Sequence, residues 1–335
     1  KPPLFEFEKS LFLLSKNKRN TNSFRVLDPI SQKMMGLRSD ITSQIARISC
    51  SSFEKKKRPL RLSYSGEILK VKNNQLNISR QLTQVGAEII GITNNNYEVE
   101  IINIIIMILE VLKIDHYSIS FSMPSLFEAI CKDFSLDEKQ SLYLKEKYEN
   151  KNLLGISDLS EELFNVSSIL IKSVGTFNDN FKAINIFKFP KFVQIEIDKF
   201  IKSLLTISKK IKKIEFNIDP IEIDKFGYHN GILFKFYSNN FHELFSGGRY
   251  NVNDENCIGF SSIVEKLIKE FSFIEKKIKR ILIPSNENNV DRLKLVNDEF
   301  LIINYNEEIN VDDIKNEAKK NKCDYFMLNN EILKI

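Results

Sequence analysis

Tryptophan is absent from the 335 residues, histidine occurs three times and cysteine four times. The cysteines (Cys50, Cys131, Cys257 and Cys323) stand far apart and form no CxxC pair. With so few histidines to join them, the spacing offers no structural zinc site, and no metal or other cofactor is expected. Scattered thiols of this kind suit a reducing compartment, so a cytoplasmic location is expected. An excess of one charge sign is also missing: 49 Lys and Arg against 44 Asp and Glu leave a net charge of +5. A nucleic-acid binder needs basic residues gathered on one face. The one run of four consecutive basic residues, Lys55-Lys56-Lys57-Arg58, reads as a solvated loop, so no nucleic-acid partner is expected. Long apolar runs are lacking too. Ile101 to Leu112 is broken by Asn103 and Glu110 and falls short of the about 20 residues of a membrane span, so it reads as a buried helix and no membrane partner is expected. The opening Lys1-Pro2-Pro3 has no apolar leader segment, and Phe5-Glu6-Phe7 reads as a strand without its beginning, so further residues upstream are expected.

What is present is 42% hydrophobic and 28% charged residues, with heavy use of Lys, Asn and Ile. That balance describes a globular chain long enough for one large domain and one small one. Phe24 to Asp28 and Met34 to Arg38 read as strands around a turn, and Thr42 to Ile48 takes helical spacing. Leu60 to Lys72 and Ile78 to Gly91 read as an antiparallel hairpin with Asn73-Asn74 at its tip. Tyr97 to Lys113 reads as a helix and Ser118 to Phe121 as a strand. The stretch from Pro124 to Lys213 is mostly helical, with Pro124 opening a helix and Ser135-Leu136-Asp137-Glu138 as a capping box. Strands return at Ile214 to Ile218 and Gly231 to Tyr237. Paired Gly247-Gly248 before Arg249 suit either a close approach to a ligand or a tight turn. Ile258-Gly259-Phe260 leads into a helix ending near Phe271. Beyond the charged connector Lys276 to Arg280, three apolar strands at Arg280–Pro284, Phe300–Ile303 and Tyr325–Leu328 alternate with helices near Val290–Val296 and Val311–Lys320. This is a βαβαβ module of about 55 residues.

Within Arg80 to Gly91, Gln84 and Glu88 are four residues apart and so share a strand face. An amide beside a carboxylate suits a small zwitterion with an ammonium group; a Glu reaching solvent from an ordinary strand accounts equally for the window alone. The neighbouring motifs add a resemblance. Leu37-Arg38-Ser39-Asp40-Ile41-Thr42 is similar to the Leu-Arg-Pro-Glu-Gly-Thr of histidyl-tRNA synthetases. Arg80 to Glu88 is similar to their Arg-Glu-Phe-x-Gln-x-Gly-x-Glu, Tyr228 to Phe234 to their Asp-Tyr-Tyr-x-Gly-x-x-Phe, Ser246 to Tyr250 to their Gly-Gly-Arg-Tyr, and Ile258-Gly259-Phe260 to their Val-Gly-Phe. The resemblance runs from roughly Pro3 to Phe271. It implies an α+β class II aminoacyl-tRNA synthetase-like fold: an antiparallel sheet flanked by helices over residues 1–275, a helical insertion at about 122–213, and a small C-terminal α/β module at 280–335.

Against that pattern, the positions of the ATP-handling motif residues carry Lys70, Lys72, Asp224 and Lys266. An arginine fork bonds two phosphate oxygens at once; lysine does not, and aspartate repels. The amino-acid side is better kept: the resemblance assigns Asp40, Thr42, Gln84 and Glu88 to histidine's ammonium and nearby polar groups, with Tyr228 or His229 closing over the imidazole. Arg38 to Ile48, Pro59 to Gly66 and Gln84 to Gly91 look more like the regulatory subunits of ATP phosphoribosyltransferase, with Asp40 and Ala87 favouring that family. It implies a non-catalytic subunit, L-histidine as effector, a short-form catalytic subunit as partner, and a homodimer core within a hetero-oligomer. The alternatives are a divergent histidyl-tRNA synthetase and a stand-alone amino-acid-binding paralogue.

Overall fold

A computed structural model describes residues 2–11, 23–71, 79–94, 96–211, 215–223, 229–271, 278–285, 292–305 and 313–335. The expected hairpin tip Asn73-Asn74, and Lys72, Asp224 and Tyr228, lie outside these residues. By their contacts the residues divide into two compact units, 1–272 and 273–335.

The first unit opens with β1 (Phe5–Phe7), α1 (Glu8–Leu11), β2 (Arg25–Leu27) and β3 (Met34–Leu37); the strands form a small antiparallel sheet in the order β1-β3-β2. Helix α2 (Thr42–Cys50) follows, then β4 (Leu60–Leu69), β5 (Gln81–Ile90), α3 (Asn96–Val111) and β6 (Tyr117–Ser122). A run of helices comes next: α4 (Ser125–Asp133), α5 (Glu138–Glu149), α6 (Glu161–Lys172), α7 (Phe177–Ile186) and α8 (Lys191–Lys210), with the two-residue β7 (Gly175–Thr176) ahead of α7. Strands β8 (Phe216–Ile218), β9 (His229–Ser238), β10 (Glu243–Val252) and β11 (Glu255–Ile263) and helix α9 (Val264–Glu270) complete the unit. Among the described residues the main sheet has eight strands in the order β4-β5-β11-β10-β9-β6-β8-β7, with β6 and β8 parallel and the other neighbours antiparallel. No helix among the described residues is long and apolar enough to cross a membrane.

The two faces of this sheet differ in side-chain size, and that difference makes the site. Alternate residues point to opposite faces of a strand. One set (Ile89, Phe121, Phe234, Phe236, Phe245 and Phe260) joins Ile101, Ile102 and Ile105 of α3 and Val193, Ile197 and Phe200 of α8 in the main core. Edge-to-face contacts link Phe234 to Phe236, Phe236 to Phe245 and Phe245 to Phe260 in series. The other set is small. The register places Gly66 opposite Gln84, Tyr64 opposite Gly86, Gly259 opposite both Glu88 and Gly248, and Ser261 opposite Gly86 and Ser246. One end of this second face is covered by α2, whose Ile41, Ile45 and Ala46 pack on Tyr64, Ile68, Ile90 and Tyr250; the rest stays open.

The capping box at α5 is displaced from its expected place. Asp137, not Ser135, is the cap: it accepts from the Gln140 amide N–H at 2.8 Å, and the Gln140 side chain accepts from the Asp137 amide at 3.0 Å. Ser135 has φ 49° just past α4, a left-handed conformation that terminates one helix and cannot supply the extended backbone an N-cap needs. Gly247-Gly248-Arg249 also differ from a tight turn: they lie inside β10, and Arg249 leaves the cavity side to bond Glu98 of α3 at 2.7 Å.

The second unit contains β12 (Lys279–Pro284), α10 (Arg292–Asn297), β13 (Phe300–Tyr305), α11 (Ile314–Lys320), β14 (Tyr325–Leu328) and β15 (Glu331–Lys334). Its sheet runs β13-β12-β14-β15, parallel among the first three and closed by an antiparallel strand absent from the expected βαβαβ pattern. Asn329 and Asn330, at φ 51° and 66°, join β14 to β15. Two central residues with positive φ make the tight turn that suits a right-twisted hairpin, and asparagine tolerates that geometry.

Candidate functional site

The open, small-residue face of the main sheet forms a cavity of about 330 Å³, at the small end of the range for ligand sites. Its polar wall is built from the loop into α2 and from β5. Gln84 is buried. Its Oε1 accepts from the Ile41 amide at 2.8 Å and its Nε2 donates to Asp40 Oδ1 at 2.7 Å. The Thr42 amide reaches the same Asp40 oxygen at 3.2 Å. These bonds fasten the α2 entry to β5 and present the Asp40 carboxylate at the cavity edge.

Glu88, 2% exposed, lies deeper. Thr42 Oγ1 and Tyr64 OH donate to its Oε1 at 3.1 and 3.2 Å, and Tyr250 OH donates to its Oε2 at 2.8 Å. Burial disfavours its charged form and dominates; the Tyr250, Thr42 and Tyr64 hydroxyls oppose the shift and the nearby Asp40 charge adds to it, leaving the pKa at about 8. Gly259 makes this position possible, because a β-carbon there would sit 1.6 Å from Glu88 Oε2.

The structure therefore brings four expected site residues, Asp40, Thr42, Gln84 and Glu88, into one hydrogen-bonded group. The fifth, His229, lines the same cavity from the start of β9; the sixth, Tyr228, lies outside the described residues. Tyr64 and Tyr250 were not singled out by the sequence as site residues, although both occur in the motifs that carry the resemblance.

Cations occupy the other side. Lys70, Lys235 and Lys266 line the cavity, as do Glu222 and Glu243. Lys235 is ion-paired with Glu222, and Lys266 lies 3.5 Å from Glu243. Burial works against the charge on Lys235, but the attraction and hydrogen bond of Glu222 outweigh it and raise the pKa. The Lys70 ammonium is shifted the other way: burial first and Lys266 second lower its pKa, against the pull of Asp40 and Glu243. Among the described residues three lysines thus face three carboxylates, Asp40, Glu222 and Glu243, with Glu88 held towards its neutral form. A cavity of opposed, balanced charges matches a dipolar ligand better than a polyanion such as a triphosphate. Among the described residues no cluster of three or more His, Cys, Asp or Glu side chains could hold a metal ion.

The fold agrees with comparisons to known proteins. A family model described as histidyl-tRNA synthetase matches residues 1–267. The solved structure described as an ATP phosphoribosyltransferase regulatory subunit/histidyl-tRNA synthetase from Bacillus halodurans superposes with a TM-score of 0.79 at 20% identity, covering 95% of this chain and 86% of that one. Histidyl-tRNA synthetase from Nostoc sp. PCC 7120 gives 0.73 at 14% identity, with 97% and 82% covered. The first unit is thus a class II synthetase-type core with a small polar cavity on its sheet. Among curated relatives, the ATP phosphoribosyltransferase regulatory subunit of Rhodospirillum rubrum is 31% identical over 80% of this chain and 71% of that protein. The protein of the same description from Paramagnetospirillum magneticum is 29% identical over 85% and 76%. The chain belongs to the family of ATP phosphoribosyltransferase regulatory subunits.

Proposed function

We propose that this chain is a non-catalytic subunit that binds L-histidine and transmits its concentration, as feedback, to a short-form catalytic subunit in the cytoplasm, working as a homodimer core within a hetero-oligomer. The observation that carries the reading is the convergence of Asp40, Thr42, Gln84 and Glu88 on one charge-balanced cavity. Asp40 and Glu88 hold the ammonium, Gln84 and Thr42 supply hydrogen bonds, and Tyr228 or His229 closes over the ring. A coupling free energy of about 1–3 kcal/mol between this site and the partner's would change activity several-fold to a hundredfold.

Lys70 and Lys266 favour the competing reading, a divergent histidyl-tRNA synthetase, because they keep positive charge in the cavity. An ammonium, however, does not reproduce the two-oxygen grip of a guanidinium on a phosphate, and Lys266 is engaged by Glu243. Two measurements separate the readings. Calorimetry should show histidine binding to the purified chain, weakened at least about tenfold in Asp40→Asn, since one charge-assisted contact is lost. Histidine-dependent ATP–pyrophosphate exchange should be absent; exchange at a rate typical of synthetases would sink the regulatory reading. Unchanged histidine binding in the variant would remove Asp40 from the site.

A further inference from the structure

Among the described residues, one lysine of the cavity makes no direct ion pair. Lys70 directly follows β4, and its backbone N–H bonds the Arg80 carbonyl at 2.9 Å, holding it in register with β5. That register puts its side chain on the face of Ile68 and Gly66, the ligand face, where it lines the cavity. Lys235 has Glu222 and Lys266 has Glu243. Among the described residues the Lys70 ammonium has no hydrogen bond or ion pair, although it is half-buried and Lys266 repels it. A desolvated ammonium without a contacting counter-ion is unfavourable, and an anion delivered by a ligand relieves it.

The position relative to Asp40 narrows what that anion is. Asp40 and Lys70 both line the cavity, and their opposite charges attract. Asp40, with Gln84 and Thr42 behind it, offers oxygen acceptors to a cation. A ligand satisfying both needs an ammonium and an anion in one molecule. An α-amino acid carries them on one carbon. We propose that Lys70 binds the α-carboxylate of the effector, so that the site selects a free amino acid over its decarboxylated or reduced analogues. This rests on the amino-acid reading of the site, which the test below separates from the role of Lys70.

Calorimetry on the full chain compares L-histidine with histamine, which lacks the carboxylate, and histidinol, which replaces it with an alcohol. The wild-type protein should bind histidine at least about tenfold more tightly than either analogue, the scale of a charge-assisted hydrogen bond. Lys70→Met should weaken histidine about ten- to a hundredfold and leave histamine within about threefold, while Lys70→Arg recovers part of the loss. Equal wild-type affinity for histidine and histamine overturns the proposal without any variant, so a misfolded K70M does not shield it. Equal weakening of both ligands by K70M also overturns it, by showing a structural role. If histamine binds and histidine does not, the cavity takes an amine, and both the proposal and the effector assignment fall. If none of the three binds, the amino-acid reading falls first and takes this proposal with it.

Discussion

At the scale of single residues, Glu88 is the group whose state the fold controls most tightly. Its folded pKa of about 8 stands above the ordinary 4.5. Between those values the folded chain keeps a proton that the unfolded chain has released. Stability from this group is therefore fully present below about pH 4.5, falls as pH rises, and is gone above about pH 8. Glu88→Gln cannot ionise and should flatten that slope. Denaturant titrations from pH 5 to 8 should show the variant gaining on the wild type by on the order of a few kcal/mol; parallel curves would mean that Glu88 is ionised in the folded protein. A second consequence concerns the ligand. An ammonium placed beside Glu88 favours its charged form, so histidine binding near pH 7 should release a proton. Calorimetry in buffers of different ionisation enthalpy measures that release, and it should disappear in the Gln variant. Gly259→Ala should abolish the arrangement, because its β-carbon would occupy the space of Glu88 Oε2; weakened histidine binding and a lower melting temperature are expected together. The pairing of Gln84 with Glu88 was legible because a two-residue period is a local property of a strand. The tyrosine donors to Glu88 were not, since Tyr64 is 24 residues away and Tyr250 162 residues away in the chain. Only the sheet order makes them neighbours.

Among elements, helix and strand positions followed from patterning, while the details of their ends depended on backbone conformation. At α5 two serine- or aspartate-headed patterns overlap, and a composition rule cannot choose between them. The left-handed Ser135 decides for Asp137. Asp137→Ala should cost about 1 kcal/mol and Ser135→Ala less than about 0.5 kcal/mol, a difference measurable by thermal melts of the two variants. Strand β15 was missed for a different reason. Its Glu331-Ile332-Leu333-Lys334 is too short and too exposed to announce itself, and the signal lay in the turn residues Asn329-Asn330. The cavity face is an element-scale property as well. Gly66, Gly86, Gly248 and Gly259 are scattered over four strands, and no single window of sequence shows that they form one surface.

Across the whole molecule, the order of motifs carried the fold further than any composition could, because a class II core is defined by the sequence in which its strands appear. What could not be read was which charges face each other: Lys70 directly after β4, Lys235 in β9 and Lys266 in α9 meet only in the folded sheet. All described residues lining the cavity fall within 1–272. A chain ending at residue 272 should therefore keep histidine affinity within a few-fold of the full chain, as measured by calorimetry; a large loss would assign the second unit a part in the site. Co-expression with a short-form catalytic subunit should give a stable complex whose activity falls as histidine is added.

The glycine and serine floor has a consequence for how this site can change over time. Where side chains form a wall, selection can trim or enlarge them one atom group at a time. Here the backbone is the wall, and the smallest increment, a methyl group, collides at Gly259 with the carboxyl group it would have to spare. The floor is in effect closed to revision. New ligand preferences can be written only on the rim, at the α2 entry, at Lys70 and at the start of β9. Substitutions confined to the rim would in this way leave the seat of the ligand unchanged.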